Sequence, residues 1–591
     1  GVYGAYSRYA GLFYCLLIIL AMFAGAAALF YSQYWLGSWG AASPSQQQDP
    51  IWLQVLAITT VVIVVLAFAR SSLFYERTLR AATNLHNDAT INVFRAPLRF
   101  FHVNPTGRVL NRFSRDMGSV DDQLPVVMMD TLQIGITILG SVVLTMLAAW
   151  VMVFVIIPLA AAFFWFRNRY ILTARESKRF EAITRSPVYA SFSEVMKGLS
   201  TVRAFGAQEY FHKSFMSRQD INTSWYFCFF ASSRWLAFRL DFISGVALVC
   251  VASAAMLLRS SLSLALLGVA LSNTLELSNF MQWAVRQSAM VENHMTGAER
   301  LLEYTNLERE APTCSEGAPP PPEGWPHLPQ PADIVVSGMT ATYAPHLPPV
   351  LRNLSFTIPA GASCGIVGRT GSGKSSLMLT LFRLIDIPEG TISIGGVDIS
   401  NMGVDALRRQ VAVIPQDPVL FSGSLRSNID PQGEHSDAEV YEVIRMVRLD
   451  EEVIAAAGLD SSVSEGGSNF SCGQRQLLCL ARSLLQDAAI LALDEATANV
   501  DRETDAAIQR ALRECLSAKR AHGGKRTLLV IAHRIDTIMD CDQLLVLSNG
   551  RLAEAGSPAE LLANESGMFS QLVTAATAGG MPTALSATDE K

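Results

Sequence analysis

The first half of the chain consists of long apolar runs separated by charged connections. No residue is charged over 9–48, 51–69, 131–166, 242–258 or 260–275. A helix that crosses the hydrocarbon core of a bilayer needs about 20 mainly apolar residues. The run over 131–166 is long enough for two such helices, joined by a tight turn near Trp150. The pattern therefore predicts six membrane-spanning helices, at 11–33, 51–72, 129–148, 151–170, 236–258 and 262–284.

Arg and Lys concentrate in two connections between these helices. They are frequent over 70–128 and 167–234, whereas the loops on the opposite side carry only Asp49 and Arg259. Because cytosolic loops of membrane proteins are enriched in Arg and Lys, the two rich connections are expected in the cytosol. Both ends of the six-helix unit then lie in the cytosol as well.

The two cytosolic connections are too long and too regular to be simple loops. Apolar residues recur at helical spacing, as in Leu85, Ile91 and Phe94, which predicts that the membrane helices continue into the cytosol. Breaks at 105–107 and at 186–187, both containing proline, are expected to place short transverse helices at the tips. Such tips are natural contact points for a cytosolic domain.

The second half of the chain has the sequence pattern of a different kind of domain. We assign 1–305 to the helical membrane domain, 306–330 to a Pro-rich linker and 331–575 to a domain in which apolar strands alternate with helices; 576–591 is a polar tail. Alternation of strands and helices predicts a parallel sheet with flanking helices, an α/β fold. The sequence thus predicts an α-helical six-span transmembrane domain followed by a cytosolic α/β domain.

Composition narrows the functional classes. Charged residues make up 17% of the chain and hydrophobic residues 50%, against roughly 25% charged residues in soluble domains. A net charge of −6 argues against a basic nucleic-acid-binding surface. Nine Cys without a CxxC pair argue against a disulfide framework and a zinc site.

A nucleotide-binding motif lies at the start of the α/β domain. The apolar strand 364–367 is followed by a segment that fits the pattern GxxxxGK[ST], in which backbone N–H groups surround phosphates, the lysine reaches the β and γ phosphates and the hydroxyl binds Mg²⁺. Further on, a buried strand ends in Asp494 and Glu495, which suit an Mg²⁺ ligand and a general base for water. The residues of the phosphate loop are Gly368, Arg369, Thr370, Gly371, Ser372, Gly373, Lys374 and Ser375, with Ser376 next in the helix.

In these motifs and their order the sequence resembles the ATP-binding cassette (ABC) superfamily. The resemblance implies that Tyr343 stacks on adenine, that Gln416 contacts Mg²⁺ and the membrane domain, and that His533 senses the γ phosphate. Ser471, Gly473 and Gln474 lie in a segment like the LSGGQ signature, and Asp501 closes a segment like the D-loop. Cys472 stands where the signature usually has its second-position glycine.

The signature also has a physical interpretation. Ser471 lies where a helix is expected to begin, so its hydroxyl and the first helical N–H groups can bind the γ phosphate held by another cassette. Two cassettes must then close face to face around ATP. The bulk of Cys472 is expected to weaken that closure.

Within the superfamily the chain resembles the second half of multidrug-resistance-associated (ABCC) exporters. The resemblance includes an elbow helix near the start, coupling regions over 101–116 and 199–205, and segments of the last two spans that line a substrate cavity. Arginine inside a membrane domain is costly unless it faces protein or water, and guanidinium and indole groups suit an anionic, partly apolar cargo. Interfacial anchoring is the alternative. The cavity candidates are Arg234, Trp235, Arg239, Trp283 and Arg286.

The resemblance implies an ATP hydrolase that drives transport. The main hypothesis is an exporter of amphipathic organic anions, such as glutathione conjugates, with ATP and Mg²⁺ as cofactors, in the plasma membrane or an endomembrane. A nucleotide-gated channel or channel regulator, or an exporter of peptides or lipids, is the alternative. The partner is a second membrane domain and cassette, in the same polypeptide or in a homodimer.

Overall fold

The structure is a computed structural model that describes residues 1–148, 153–257, 264–326, 332–449, 458–494, 508, 510–511, 525–531 and 538–578. The chain folds into two compact units. One comprises Gly1–Phe94 and Asn104–Leu307, and the other Arg95–Val103 and Glu308–Lys591. A short piece of the helical half therefore belongs to the second unit.

The first unit is helical throughout its described elements. Within the described residues, five helices are long and apolar enough to cross a membrane, and the sixth predicted span falls on the start of the last long helix. Its predicted first residues, 262 and 263, lie outside the described part. The elements are α1 (Val2–Ala10), α2 (Leu12–Ala41), α3 (Ile51–Phe94), α5 (Thr106–Asn111), two π-helical turns (Arg112–Asp116 and Ser119–Gln123), α6 (Leu124–Ala148), α7 (Val153–Lys197), α8 (Leu199–Ala204), α9 (Gln208–Leu257) and α10 (Leu264–Thr305).

The long helices extend well past their predicted spans, as the apolar spacing of the connections predicted. α1 is separated from α2 by Gly11, whose φ of 91° is readily adopted only by glycine. The cytosolic extensions pack through their own small core, in which Leu85, Val120 and Leu301 are fully buried. The long helices thus continue without interruption past the spans predicted from the sequence.

The two predicted helix breaks have different outcomes. Pro105 precedes α5 and ends the regular helix before it, as predicted. The predicted break at Ser186–Pro187 is wrong, because α7 runs through Pro187 and ends at Lys197, and Gly198 precedes the short helix α8. Proline removes one N–H, and here contacts with α9 stabilise the helix: Asn222 Nδ2 donates to the Glu181 carbonyl at 2.7 Å.

Within its described residues the second unit contains two main sheets of different type, a larger and a smaller one, and a further small two-stranded sheet. The strands are β1 (Ile334–Thr342), β2 (Leu351–Ile358), β3 (Ser363–Val367), β4 (Asp386–Ile394), β5 (Val397–Asp398), β6 (Val411–Ile414), β7 (Gly423–Ser424), β8 (Ser462–Val463), β9 (Ile490–Asp494), β10 (Thr527–Ile531), β11 (Gln543–Ser548) and β12 (Arg551–Gly556). The larger sheet has the strand order β12-β11-β3-β10-β9-β6, and its strands are parallel except for β12. The smaller sheet is antiparallel with the order β2-β1-β4-β5.

Helices cover both faces of the larger sheet. Leu491 and Leu493 point into one apolar core, whereas Ile490 and Ala492 point into the other, as the period of two along a strand requires. The predicted α/β fold is confirmed. The helices are α4 (Leu98–Val103), α11 (Lys374–Leu381), α12 (Val404–Gln410), α13 (Leu425–Ile429), α14 (Asp437–Met446), α15 (Cys472–Leu485), α16 (Pro558–Ala563) and α17 (Met568–Ala578).

The segment 95–103 packs within the second unit through charged contacts. The Glu310 N–H donates to the Arg95 carbonyl at 2.7 Å, and Arg95 pairs with Glu316. Arg99 pairs with Glu308, and its Nη1 lies 3.7 Å from Asp386 Oδ2. The segment that contains α4 is therefore anchored both to the Pro-rich segment and, through Arg99, to the first residue of β4.

The Pro-rich segment lies along the α/β unit as far as it is described. Arg408 donates two hydrogen bonds to the Glu310 carboxylate, at 3.0 and 2.5 Å. Asp405 Oδ1 accepts from the Cys314 N–H at 2.8 Å, and Trp325 is buried with its Nε1 donating to the Ile394 carbonyl at 2.8 Å. Residues 310–326 thus form an ordered strap rather than a free tether.

Asp542 stabilises the start of β3, and we predict a pH-dependent effect on stability. Its Oδ2 accepts from the Ser363 N–H at 2.8 Å and from the Ser363 hydroxyl at 2.7 Å, and these bonds lower the pKa of the carboxyl. A lowered folded-state pKa stabilises the fold above about pH 4 and loses that effect as pH falls through the folded value. We expect Asp542→Asn to cost about 1 kcal/mol at pH 7.5, discounted because the group is largely exposed.

Thermal unfolding of the variant and the wild type, compared at pH 7.5 and under acid conditions, measures this effect. The two proteins should converge as the medium is acidified, since protonation removes the charge from the wild type as well. A difference of equal size at both pH values would contradict the assignment.

Candidate nucleotide site and membrane cavity

The predicted nucleotide residues come together at one edge of the larger sheet. The parallel strands β3, β9 and β6 lead directly to the phosphate loop, to Asp494 and to Gln416. Carboxyl ends of parallel strands meet at the same edge, where α/β sheets bind their ligands. Glu495, Asp501 and His533 lie outside the described residues, and β9 and β10 end just before Glu495 and His533 in the sequence.

The phosphate loop has the shape that its glycines predict. Gly368, Gly371 and Gly373 have φ values of 158°, 81° and 104°. A Cβ on Gly368 would lie 2.4 Å from the Leu547 carbonyl oxygen, and one on Gly373 would lie 2.6 Å from a Leu351 methyl carbon. Side chains at 368 and 373 are therefore excluded by space as well as by backbone conformation.

Two polar side chains inside the loop suit an anionic ligand. The Ser372 hydroxyl is buried and has no hydrogen-bond partner among the residues that the structure describes. Lys374 is buried, and its Nζ donates to the Gly368 carbonyl at 2.8 Å and the Arg369 carbonyl at 3.2 Å. The ammonium thus lies over the loop, where α11 also begins and presents its first N–H groups. Arg369, Thr370 and Gly371 are exposed along the rim.

The proposed metal ligands are partly assembled. Ser375 Oγ lies 3.5 Å from Asp494 Oδ1, and both side chains are accessible. Gln416 is exposed two residues after the end of β6. Among the described residues no group of three His, Cys, Asp or Glu side chains is placed to hold a metal ion. A hydroxyl, a carboxylate and an amide oxygen, completed by phosphate oxygens and water, nevertheless fit the ligand preferences of Mg²⁺.

Tyr343 follows β1 of the smaller sheet. Its hydroxyl lies 3.0 Å from Ser376 Oγ, so the ring is fixed beside α11. The imidazole of His102 on α4 lies 6.1 Å from the Tyr343 ring, centre to centre, at a tilt of 57°. The sequence did not indicate His102, because only the fold brings position 102 to the α/β unit.

Ser471 is the N-cap of α15, so the predicted helix start is confirmed. Its hydroxyl accepts from the Gln474 N–H at 3.2 Å, and Gln474 Oε1 accepts from the Ser471 N–H at 2.9 Å. This capping box leaves the hydroxyl proton of an exposed serine free to donate to a ligand. Cys472 is half-buried and Gly473 is buried.

The cavity candidates form the contacts that helical spacing predicted. The guanidinium carbon of Arg239 lies 3.8 Å from the centre of the Trp235 ring, and that of Arg286 lies 5.7 Å from the Trp283 ring. Arg234 instead lies over Phe230, at 5.0 Å. Trp235 and Trp283 are 38% and 44% exposed, which leaves indole surface for a ligand.

The two Arg–Trp pairs lie on helices that pack against each other, α9 and α10. The helices pack through Leu240, Ile243 and Val285, and Gln282 Nε2 donates to Asp241 Oδ1 at 2.6 Å. Asp241 was not selected from the sequence, although it lies two residues from Arg239. Its position next to an uncharged run of 17 residues, 242–258, was the signal for it.

Comparison with known proteins agrees with the membrane domain and with the nucleotide-binding domain. Residues 12–283 match the family model described as ABC transporter transmembrane region, and residues 351–498 match the model described as ABC transporter. This chain belongs to the ATP-binding cassette transporters. As a member of that family it is an integral, multi-pass membrane protein with a nucleotide-binding cassette.

Similar proteins of the transporter family belong to sub-family C. The chain is 40% identical over 588 residues to human ATP-binding cassette sub-family C member 4, covering 96% of this chain and 43% of that protein. It is 38% identical over 575 residues to human sub-family C member 2, covering 95% and 36%. It is 37% identical over 567 residues to Metal resistance protein YCF1 of Saccharomyces cerevisiae, again covering 95% and 36%. The chain thus spans less than half the length of these relatives.

We predict that the Ser471 hydroxyl binds phosphate in addition to capping α15. Ser471→Ala removes cap and hydroxyl together and is expected to cost about 1 kcal/mol of stability, whereas Ser471→Gly costs only a few tenths. If the hydroxyl also binds phosphate, Ser471→Gly should lower ATPase turnover by about tenfold or more while the thermal midpoint hardly changes. Normal turnover in Ser471→Gly would limit the residue to capping.

Proposed function

We propose that this chain is one half of an ATP-driven exporter of amphipathic organic anions. The observation that supports it most is the joint presence of two features in one chain. One is a phosphate loop with the Lys374 ammonium and the unpartnered Ser372 hydroxyl inside it. The other is a membrane domain in which Arg and Trp side chains pair with their indole faces still accessible.

At the cassette, each side chain has a distinct proposed task. Lys374 and the loop N–H groups hold the β and γ phosphates, and Tyr343 receives the adenine. Ser375, Asp494 and Gln416 would hold Mg²⁺, which neutralises charge on the phosphate oxygens when bound. Glu495 accepts a proton from the attacking water, and His533 contacts the γ phosphate. Asp501 and the Ser471 segment contribute to the face that closes on a second cassette.

In the membrane domain, Arg234, Arg239 and Arg286 favour a cargo with carboxylate or sulfate groups. A guanidinium binds such groups through two parallel hydrogen bonds, and indole faces accommodate the apolar body of a conjugate. Zwitterionic lipids and uncharged peptides carry no net negative charge for a cluster of arginines to bind. The arginines therefore support organic anions over these alternatives.

A second membrane domain and cassette complete the proposed transporter. The cassette carries one phosphate loop and one signature segment, and a closed site needs a loop from one cassette and a signature from another. The sub-family C relatives are more than twice as long as the region that this chain matches. We therefore place the second half in the same polypeptide, with a homodimer as the alternative that the mass of the solubilised particle tests.

The deciding experiment measures ATPase activity and uptake by the assembled transporter. Anionic, neutral and cationic conjugates of one apolar body are titrated in lipid nanodiscs, and the same compounds are offered to inside-out vesicles with and without ATP. We expect stimulation and ATP-dependent uptake for the anionic members. ATP-dependent current without uptake would favour the channel, and an ATPase indifferent to all the compounds would refute export.

A further inference from the structure

A small cavity lies inside the membrane domain, apart from the Arg and Trp pairs on α9 and α10. It measures about 70 Å³, is lined by α2, α3 and α6, and is open on one side. Its wall is apolar except for Arg70 of α3 and Gln133 and Thr137 of α6. On the α2 side Gly25 faces the arginine, because a Cβ at Gly25 would lie 3.9 Å from Arg70 Nη1.

Within the described part of the chain, Arg70 has no partner for its charge. Its Nε is buried and makes no hydrogen bond, and none of the described residues forms an ion pair with the guanidinium. An uncompensated arginine in a membrane domain is costly, and arginines that persist there face a cavity or bind a ligand. The Thr137 hydroxyl donates to the Gln133 carbonyl at 2.9 Å, so the free donors of the cavity are Arg70 and the Gln133 amide.

The position of Arg70 does not fit interfacial anchoring. A buried apolar cluster of Ile18, Met22, Phe74 and Met129 lies one turn nearer the cytosolic ends of all three helices. Met22 is fully buried and Phe74 is 3% exposed, so this layer separates the guanidinium from the cytosolic interface. Toward the other end, the Phe30 ring packs so closely on Gly140 that a Cβ there would lie 2.1 Å from a ring carbon.

The size of the cavity limits what can occupy it. One water needs roughly 10–15 Å³ of such volume, so the space accommodates a few waters or one carboxylate, sulfate or phosphate group. A whole drug-sized molecule needs a pocket of about 300 Å³ or more. The guanidinium and the amide both offer N–H donors to a space that holds one functional group. Such an arrangement suits the binding of one anionic end group.

We propose that Arg70 and Gln133 bind the anionic end group of the cargo, as a subsite separate from the pairs on α9 and α10. The proposal rests on the proposed export of organic anions and adds a residue that determines charge selectivity. Arg70 supplies a charged fork and Gln133 a neutral donor, so most of the selectivity resides in Arg70. Lipid phosphate is the other source of the same chemistry, and the test separates the two.

The test uses the assembled transporter in phosphatidylcholine nanodiscs, with naphthyl glucuronide and its uncharged methyl ester as probes. We expect Arg70→Met to raise the glucuronide concentration for half-maximal ATPase stimulation by about tenfold or more. The uncharged ester is expected to stimulate ATPase activity only weakly in the wild type, and that weak response should be the same in this variant. Arg80→Met is the matched control, because Arg80 lies on the same helix but is 62% exposed and pairs with Glu76.

We expect the Arg70→Met variant to fold, so that the test can be carried out. Loss of an unpaired buried charge is expected to leave the thermal midpoint unchanged or raise it. If Arg70→Met nevertheless fails to fold, Gln133→Leu carries the test with an expected shift of about threefold.

The outcomes are distinct. A wild type that responds to the glucuronide together with an Arg70→Met variant that responds equally overturns the subsite and leaves the exporter intact. A wild type that does not respond refutes the proposed function itself. A shift that appears only when phosphatidylglycerol is added to the nanodiscs assigns the cavity to the headgroup of an anionic lipid and overturns the cargo subsite.

Discussion

Replacing Lys374 with Met is expected to weaken nucleotide binding strongly and to abolish turnover. The Lys374 ammonium is buried inside the phosphate loop and bonded to the Gly368 and Arg369 carbonyls. Methionine retains an unbranched side chain but supplies neither charge nor donor. Charge-assisted bonds to phosphate contribute enough for ATP affinity to fall by about 100-fold, and ATPase activity should become undetectable.

Fluorescent-nucleotide titration and phosphate release by the assembled transporter measure the two effects. Arg445→Met provides the control, since Arg445 is an exposed cation in the last turn of α14 of the same cassette. It should behave as the wild type in both assays. Retained ATP affinity in Lys374→Met would show that the ammonium does not contact the phosphates.

Replacing Glu495 with Gln should separate binding from hydrolysis. β9 places Asp494 next to Ser375, and Glu495 is the next residue in the chain. An amide cannot accept the proton of the attacking water, so turnover should fall by about 10²–10⁴-fold while ATP still binds. The variant is expected to accumulate in a closed, ATP-bound state because opening follows hydrolysis.

ATPase rates and retention of labelled ATP after rapid desalting measure this separation. Glu442→Gln on α14 is the matched control, because it makes the same chemical change at an exposed position of the cassette. Wild-type ATPase activity in Glu495→Gln would assign the general base to another group. Loss of ATP binding would instead indicate a structural role for the carboxylate.

Local sequence rules were sufficient for the shape of the phosphate loop. A strand, a glycine-rich turn and a helix occur within 19 residues, 363–381, so their geometry depends little on distant parts of the chain. The N-cap at Ser471 was equally predictable, since Ser471 and Gln474 form a capping box within one turn. Spacing along one helix likewise predicted the contact between Trp235 and Arg239.

Features that depend on tertiary packing could not be predicted. Pro187 was expected to end a helix, but contacts with α9 outweigh its local preference. Arg70 was counted among the charges of a cytosolic connection, because its sequence position gives no sign of the apolar layer at Phe74 and Met129. The approach of His102 to Tyr343 joins positions far apart in the chain and follows only from the fold.

The membership of α4 in the α/β unit has a practical consequence for work on this protein. A soluble fragment cut after Leu307 would contain every strand of both sheets but would lack Arg95 and Arg99. Glu308 and Glu316 would then lose the arginines that pair with them in the intact chain. Nucleotide affinities measured on such a truncated preparation would describe a surface that the intact chain does not present, and adding a synthetic peptide of residues 95–103 in trans is the remedy to try first.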